Sequence, residues 1–117
     1  MMHETRWQVE REIMKQHFPG FATVNQSGSL GFYGSVRGPS TGRWYLIVAK
    51  IPAARYPQTE PAVYIEPRVG AGWEADTVNL DPRGKLSICR DTPWNPCRNT
   101  FASCVLCAVQ YVKEYDK

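Results

Sequence analysis

With 117 residues, 43% of them apolar, and a formal net charge of only +3, the protein has the make-up of one globular domain spanning residues 1–117, not that of a disordered segment. A chain of this size buries a sizeable core without disulfides or a metal. No window of 18 apolar residues offers a membrane span, and Lys and Arg are too scattered to form the stripe expected of a nucleic-acid binder. No membrane and no nucleic-acid partner is therefore expected.

The segment from Met1 to Glu12 mixes charges and lacks the apolar run of a secretory signal. A helix is predicted from about Glu4 to His17, where Trp7, Val9, Ile13, Met14 and Phe18 form a broad apolar face. Pro19-Gly20 ends it, because proline has no amide hydrogen to carry the ladder on. Phe21 to Val24 reads as a short strand and Gln26 to Gly28 as a turn. Leu30, Phe32 and Val36 alternate with small or polar residues, the pattern of a half-buried strand. After the turn Gly38-Pro39-Ser40-Thr41-Gly42, the run from Trp44 to Ile51 is nearly all apolar and β-prone, which predicts a central strand covered on both faces. Ala62 to Ile65 supplies the next strand, closed by Pro67.

From Arg68 to Pro96 the chain is rich in Gly, Pro, Asp and Asn, a long irregular stretch of the kind that carries function in a small domain. The C-terminus returns to helix. Asn99 or Thr100 is placed to cap it, and Phe101, Cys104, Val105, Ala108, Val112 and Tyr115 recur at helical spacing as a buried face, with Leu106 and Cys107 pointing away. Helix, antiparallel meander, long loop and helix make an α+β domain.

That order suits many folds, and local strings narrow it. Tyr56-Pro57, Pro61 and the strand Ala62-Val63-Tyr64-Ile65 resemble the Tyr-Pro-x-x-Pro-Pro turn before the fourth strand of ubiquitin-conjugating enzymes, with Glu60 in place of the first proline of the pair. Gly84-Lys85-Leu86-Ser87-Ile88-Cys89-Arg90-Asp91 is similar to that family's Gly-x-Ile-Cys-Leu-Asp active-site segment, lengthened before the isoleucine. Trp94-Asn95-Pro96 resembles its Trp-Ser-Pro, which immediately precedes the long second helix, although the loop from Cys89 is shorter here. The family's His-Pro-Asn is matched by Thr77-Val78-Asn79: Asn79 keeps the spacing to Gly84, while the histidine and proline are absent.

The chain is most similar to the bacterial members encoded in cyclic-oligonucleotide antiphage operons (CBASS). The resemblance implies a UBC-like fold with an N-terminal helix, an antiparallel four-stranded meander, a long active-site loop and a C-terminal helix. It further implies a transferase that carries the C-terminus of a ubiquitin-like protein or a CBASS nucleotidyltransferase as a thioester on Cys89 and passes it to an amine. The implied partners are that donor protein, with a free C-terminal tail, and an adenylating enzyme where the donor must be activated; no cofactor is implied. The alternative is a UBC-fold binding module without turnover, which the missing histidine favours and the retained Ile88-Cys89 and Trp94-Asn95-Pro96 oppose.

The residues have their own chemistry beside this. Thiolate is a strong nucleophile and a good leaving group, which suits a carrier that accepts and releases an acyl chain. Arg90 and Lys85 near Cys89 favour it; the plainer role for such a cysteine is a small buried hydrophobe. Asn79 offers an amide donor to a tetrahedral oxyanion, or else it simply builds the turn Asn79-Leu80-Asp81-Pro82. Asp91, two positions from the thiol, is suited to orienting or deprotonating an incoming amine, or to bonding the loop backbone. Trp94 reads as structural, packing the loop against the second helix, while Trp73 either is exposed for partner contact or plugs the core edge; neither is assigned a catalytic role. His3 and His17 are given no role.

Cys104-x-x-Cys107 has a zinc-like separation that Cys89 and Cys97 would complete, but the pair falls inside a helical pattern, so no metal site is expected. All four cysteines are expected as thiols in the reducing cytoplasm.

Overall fold

The computed structural model describes residues 2–26, 28–66, 85–86, 94–95 and 97–116. Helix α1 (Met2–His17) leads into strands β1 (Ala22–Gln26), β2 (Ser29–Arg37) and β3 (Trp44–Pro52), then, past a single 3-10 turn at Ala53–Arg55, β4 (Ala62–Glu66); β5 (Lys85–Leu86) and helix α2 (Phe101–Tyr115) complete the chain. The strands form one antiparallel sheet in sequence order, β1-β2-β3-β4-β5. The α+β order of helix, meander and helix is as the periodicity predicts, and the meander gains a two-residue fifth strand, with Leu86 opposite Val63 and Lys85 opposite Tyr64.

Strand alternation decides the core. Phe32 on β2, Tyr45, Ile47, Ala49 and Ile51 on β3, and Val63 and Ile65 on β4 share one face and are buried there with Trp7 and Met14 of α1 and Phe101, Val105, Ala108 and Val112 of α2. Both helices thus pack on the same side of the sheet. The expectation that β3 is covered on both faces is corrected by this: Trp44 is 61% exposed and Leu46 36%. An apolar run marks a strand, but it does not say how many layers cover it; among the described residues both helices lie on one side, and no element covers the other.

The helices show a similar correction. Val9, assigned to the apolar face of α1, is exposed, while Glu10 is fully buried. In α2 the Thr100 side chain accepts a hydrogen bond from the Ser103 amide and the Ser103 hydroxyl accepts one from the Thr100 amide, a capping box that fixes where the helix starts. Leu106 is exposed as its phase predicts, whereas Cys107 is only half-buried and leans on the core, and Tyr111 joins the buried face. Among the described residues no helix is long and apolar enough to cross a membrane.

A second buried carboxylate closes the far end. Asp116, just past α2, accepts hydrogen bonds from the amides of Ser40 and Thr41 (2.9 Å each), the Thr41 hydroxyl (2.6 Å) and the Tyr45 hydroxyl (2.7 Å), which pins the β2–β3 turn to the end of the helix. Burial would raise the Asp116 carboxyl, but these donors outweigh it and hold it well below the usual carboxylate range. Gly38 lies directly against this carboxylate, so that a Cβ there meets all three of its heavy atoms. Gly38→Ala is therefore expected to cost about 1–3 kcal/mol by overpacking, read as a lower urea midpoint with unchanged slope.

Candidate functional site

Cys89, Asn79 and Asp91, the residues predicted to carry the chemistry, lie outside the described residues, as does most of the Arg68–Pro96 stretch. What the structure describes is the frame to either side of that stretch. It begins at Tyr56-Pro57, which is joined by a cis peptide. Tyr56 is buried against Trp7 (ring centroids 6.0 Å apart) and Phe101 (5.9 Å), and these two pack edge-on to one another at 5.8 Å. Phe32 completes the aromatic cluster, 5.0 Å from Trp7 and 5.2 Å from Phe101. Helix α1, the sheet, the Tyr-Pro turn and the start of α2 therefore meet at one point.

Trp94 returns the chain to that point. Its indole nitrogen donates to the carbonyl of Pro57 at 2.9 Å across 37 positions of sequence. The next residues are held by a compact set of local bonds. The Asn99 side chain accepts from the Asn95 amide at 2.8 Å, the Asn95 side chain accepts from the Cys97 amide at 2.9 Å, and the Asn95 carbonyl takes the amides of Arg98 and Asn99. Two of the strings singled out in the sequence, Tyr56-Pro57 and Trp94-Asn95, are thus in direct contact. Trp94 ties the returning chain to the Tyr-Pro turn through this bond.

Glu10 sits beneath this junction, and sequence reasoning missed it. Its carboxylate accepts from the Phe101 amide at 3.0 Å, from Arg6 Nε at 3.2 Å and, more loosely, from the Tyr56 hydroxyl at 3.4 Å. Arg6 reaches past it to the carbonyl of Asn99 at 2.8 Å and lies over the Tyr56 ring, 5.9 Å from its centroid. One carboxylate thereby supplies an acceptor to the buried first turn of α2, where amides have no partner inside the helix. Burial raises the Glu10 carboxyl against the lowering pull of the Phe101 amide and of Arg6. Burial, then the neighbouring Glu10 charge, pushes the Tyr56 phenol well up.

The sequence did carry a signal for this. Arg6 and Glu10 are an i, i+4 pair, and Glu10 falls three positions after Trp7 and four before Met14, so it shares their face.

The described thiols differ sharply in access: Cys104 is buried, Cys107 half-buried and Cys97 exposed. Among the described residues, no three His, Cys, Asp or Glu side chains stand close enough to hold a metal ion. Set against known protein-family models, curated proteins and solved structures, the chain matches none.

Proposed function

We propose that this protein is a ubiquitin-conjugating-like acyl transferase with Cys89 as its nucleophile. The Cys89 thiolate attacks the acyl carbon of an adenylated C-terminus on a partner protein, forming a thioester as AMP departs. An amine then attacks the same carbon, the thiolate leaves, and the amine's proton passes to Asp91 or to water. The donor is a ubiquitin-like protein or, for the bacterial antiphage subgroup the strings resemble, a CBASS nucleotidyltransferase in the cytoplasm.

The observation that carries this reading is the bond from Trp94 to the Pro57 carbonyl. It joins the two strings that bracket the Cys89 segment, in an α+β domain whose elements run in the order the resemblance implies. The test is to incubate donor, an adenylating enzyme and ATP with the protein, and to map any adduct that thiol reductant releases. A thioester on Cys89 is expected; an adduct mapped to the exposed Cys97, or none at all, refutes the proposal.

Asn79 gives a second measurement. As an oxyanion donor it is worth on the order of 3 kcal/mol, roughly a hundredfold in rate. Asn79→Ala is therefore expected to slow discharge to an amine far more than loading. Equal rates in wild type and variant would leave Asn79 as a turn residue.

A further inference from the structure

At the opposite end of the sheet from β5, strand β1 pairs with β2 alone among the described strands, which leaves its other edge open. Natural edge strands are usually protected from pairing by proline, by charge or by being very short. None of these applies to Ala22-Thr23-Val24-Asn25-Gln26, which is five residues long and holds neither proline nor a charged residue.

A groove of about 530 Å³, open to solvent along one side, runs between this strand and α1. At its base Phe21 is the accessible apolar side chain, over the buried Met14 and Phe32, and the exposed Arg11, Glu12 and Lys15 stand along its helical wall. Arg11 and Lys15 are one helical turn apart, and among the described residues neither makes an ion pair or a hydrogen bond. Two unneutralised cations against one carboxylate leave the rim positive.

We propose that this edge is a docking site for an extended peptide segment of a partner protein, which adds to the sheet as a strand beside β1. Backbone bonds to the open edge supply sequence-independent affinity, and alternate side chains of the added strand turn toward α1 into the groove. The groove selects among segments: an apolar side chain meets the accessible Phe21 ring, and acidic ones to either side of it face the positive rim that Arg11 and Lys15 form together. The ligand class is therefore an alternating segment with an acidic, apolar, acidic set on one face. A second copy of this chain is disfavoured, because its own β1 offers no carboxylate to the rim. The inference stands apart from the transfer chemistry and does not depend on Cys89.

The test is a titration of isotope-labelled protein with the peptide Thr-Glu-Thr-Leu-Thr-Glu-Thr, blocked at both ends, followed by amide shifts. Shifts confined to β1 and the facing side of α1 are expected, with an affinity of about 0.1–1 mM, reasonable for one short strand. The double variant Arg11→Gln, Lys15→Gln is expected to weaken binding at least tenfold with the fold intact and only a small drop in thermal stability, since both side chains are exposed and Lys15 lies in the last turn of α1. The counterpart peptide with lysine for glutamate should bind at least tenfold more weakly to wild type.

The proposal is overturned if the two peptides bind alike, if neither binds, or if the shifts centre on the bare sheet face around Trp44. Shifts in β1 that depend on protein concentration with no peptide present would assign the edge to a second copy and overturn it equally.

Discussion

Replacing Cys89 by alanine is expected to abolish the reducible adduct with the donor protein altogether, because removal of the sulfur leaves no atom to form the thioester. The comparison that gives this its force is with the other three thiols. Cys104 is 3% exposed on the core face of α2, without room to bear an acyl chain, and Cys107 is half-buried on the same helix and leans on the core. Their alanine variants should load at wild-type rates, with Cys104→Ala losing some stability from the cavity it leaves.

Cys97 is the stringent control. It is exposed and close in sequence to Trp94, so among the described thiols access alone favours it. If Cys97→Ala abolishes the adduct and Cys89→Ala does not, the assignment of the nucleophile is wrong. If both variants keep it, the transfer reading falls.

The largest effect on stability is expected at Glu10. Truncation to alanine strips the acceptor from the Phe101 amide and the Tyr56 hydroxyl and leaves Arg6 without its carboxylate. A buried donor left unsatisfied, here the Phe101 amide, costs about 1–3 kcal/mol, and removing a fully buried side chain adds the cost of the cavity it leaves, whereas Arg6 is only part-buried and stays in reach of water. Glu10→Ala should therefore lower stability by about 3 kcal/mol or more, a large share of the 5–15 kcal/mol typical of a domain. Equilibrium unfolding in urea checks it.

The dependence on pH separates charge from shape. Because the Glu10 carboxyl is raised above its ordinary value of 4.5, the folded state holds this proton more tightly than the unfolded one. Its contribution is then fully present below that value and falls as pH rises through the folded one. Glu10→Gln keeps the size but removes the titration, so its cost relative to wild type should be greatest near pH 4 and shrink toward neutrality. Asp116 runs the other way. Its carboxyl is lowered, so its contribution is present above its ordinary value and is lost as pH falls toward the folded one. Asp116→Asn should therefore differ most from wild type at neutral pH and least in acid. A constant difference across the range for either variant would place these effects in packing alone.

What the sequence determined by itself was whatever depends on neighbours along the chain. Pro19-Gly20 ends α1 because the missing amide is local. The start of α2 is narrowed to Asn99 or Thr100 by their capping side chains, and the structure gives the cap to Thr100, whose side chain reaches an amide three residues on. The alternation in β2 and the apolar run in β3 mark strands, and the turn from Gly38 to Gly42 joins them. The four strings around Tyr56, Asn79, Cys89 and Trp94 were equally legible, since each is a short fixed spacing.

Tertiary structure alone decided which faces are covered and which charges are buried. Glu10 looked like one more charge on an amphipathic helix until a backbone amide 91 positions away required an acceptor there. Asp116 is tied to Thr41 across 75 positions, a pairing that no local pattern carries. β3 was read as doubly covered because hydrophobicity reports a strand's tendency to be buried, whereas the layer count depends on where two distant helices pack. The same placement leaves β1 with an open edge beside Arg11 and Lys15, a juxtaposition made by the fold because α1 doubles back past Pro19-Gly20 to lie along the sheet.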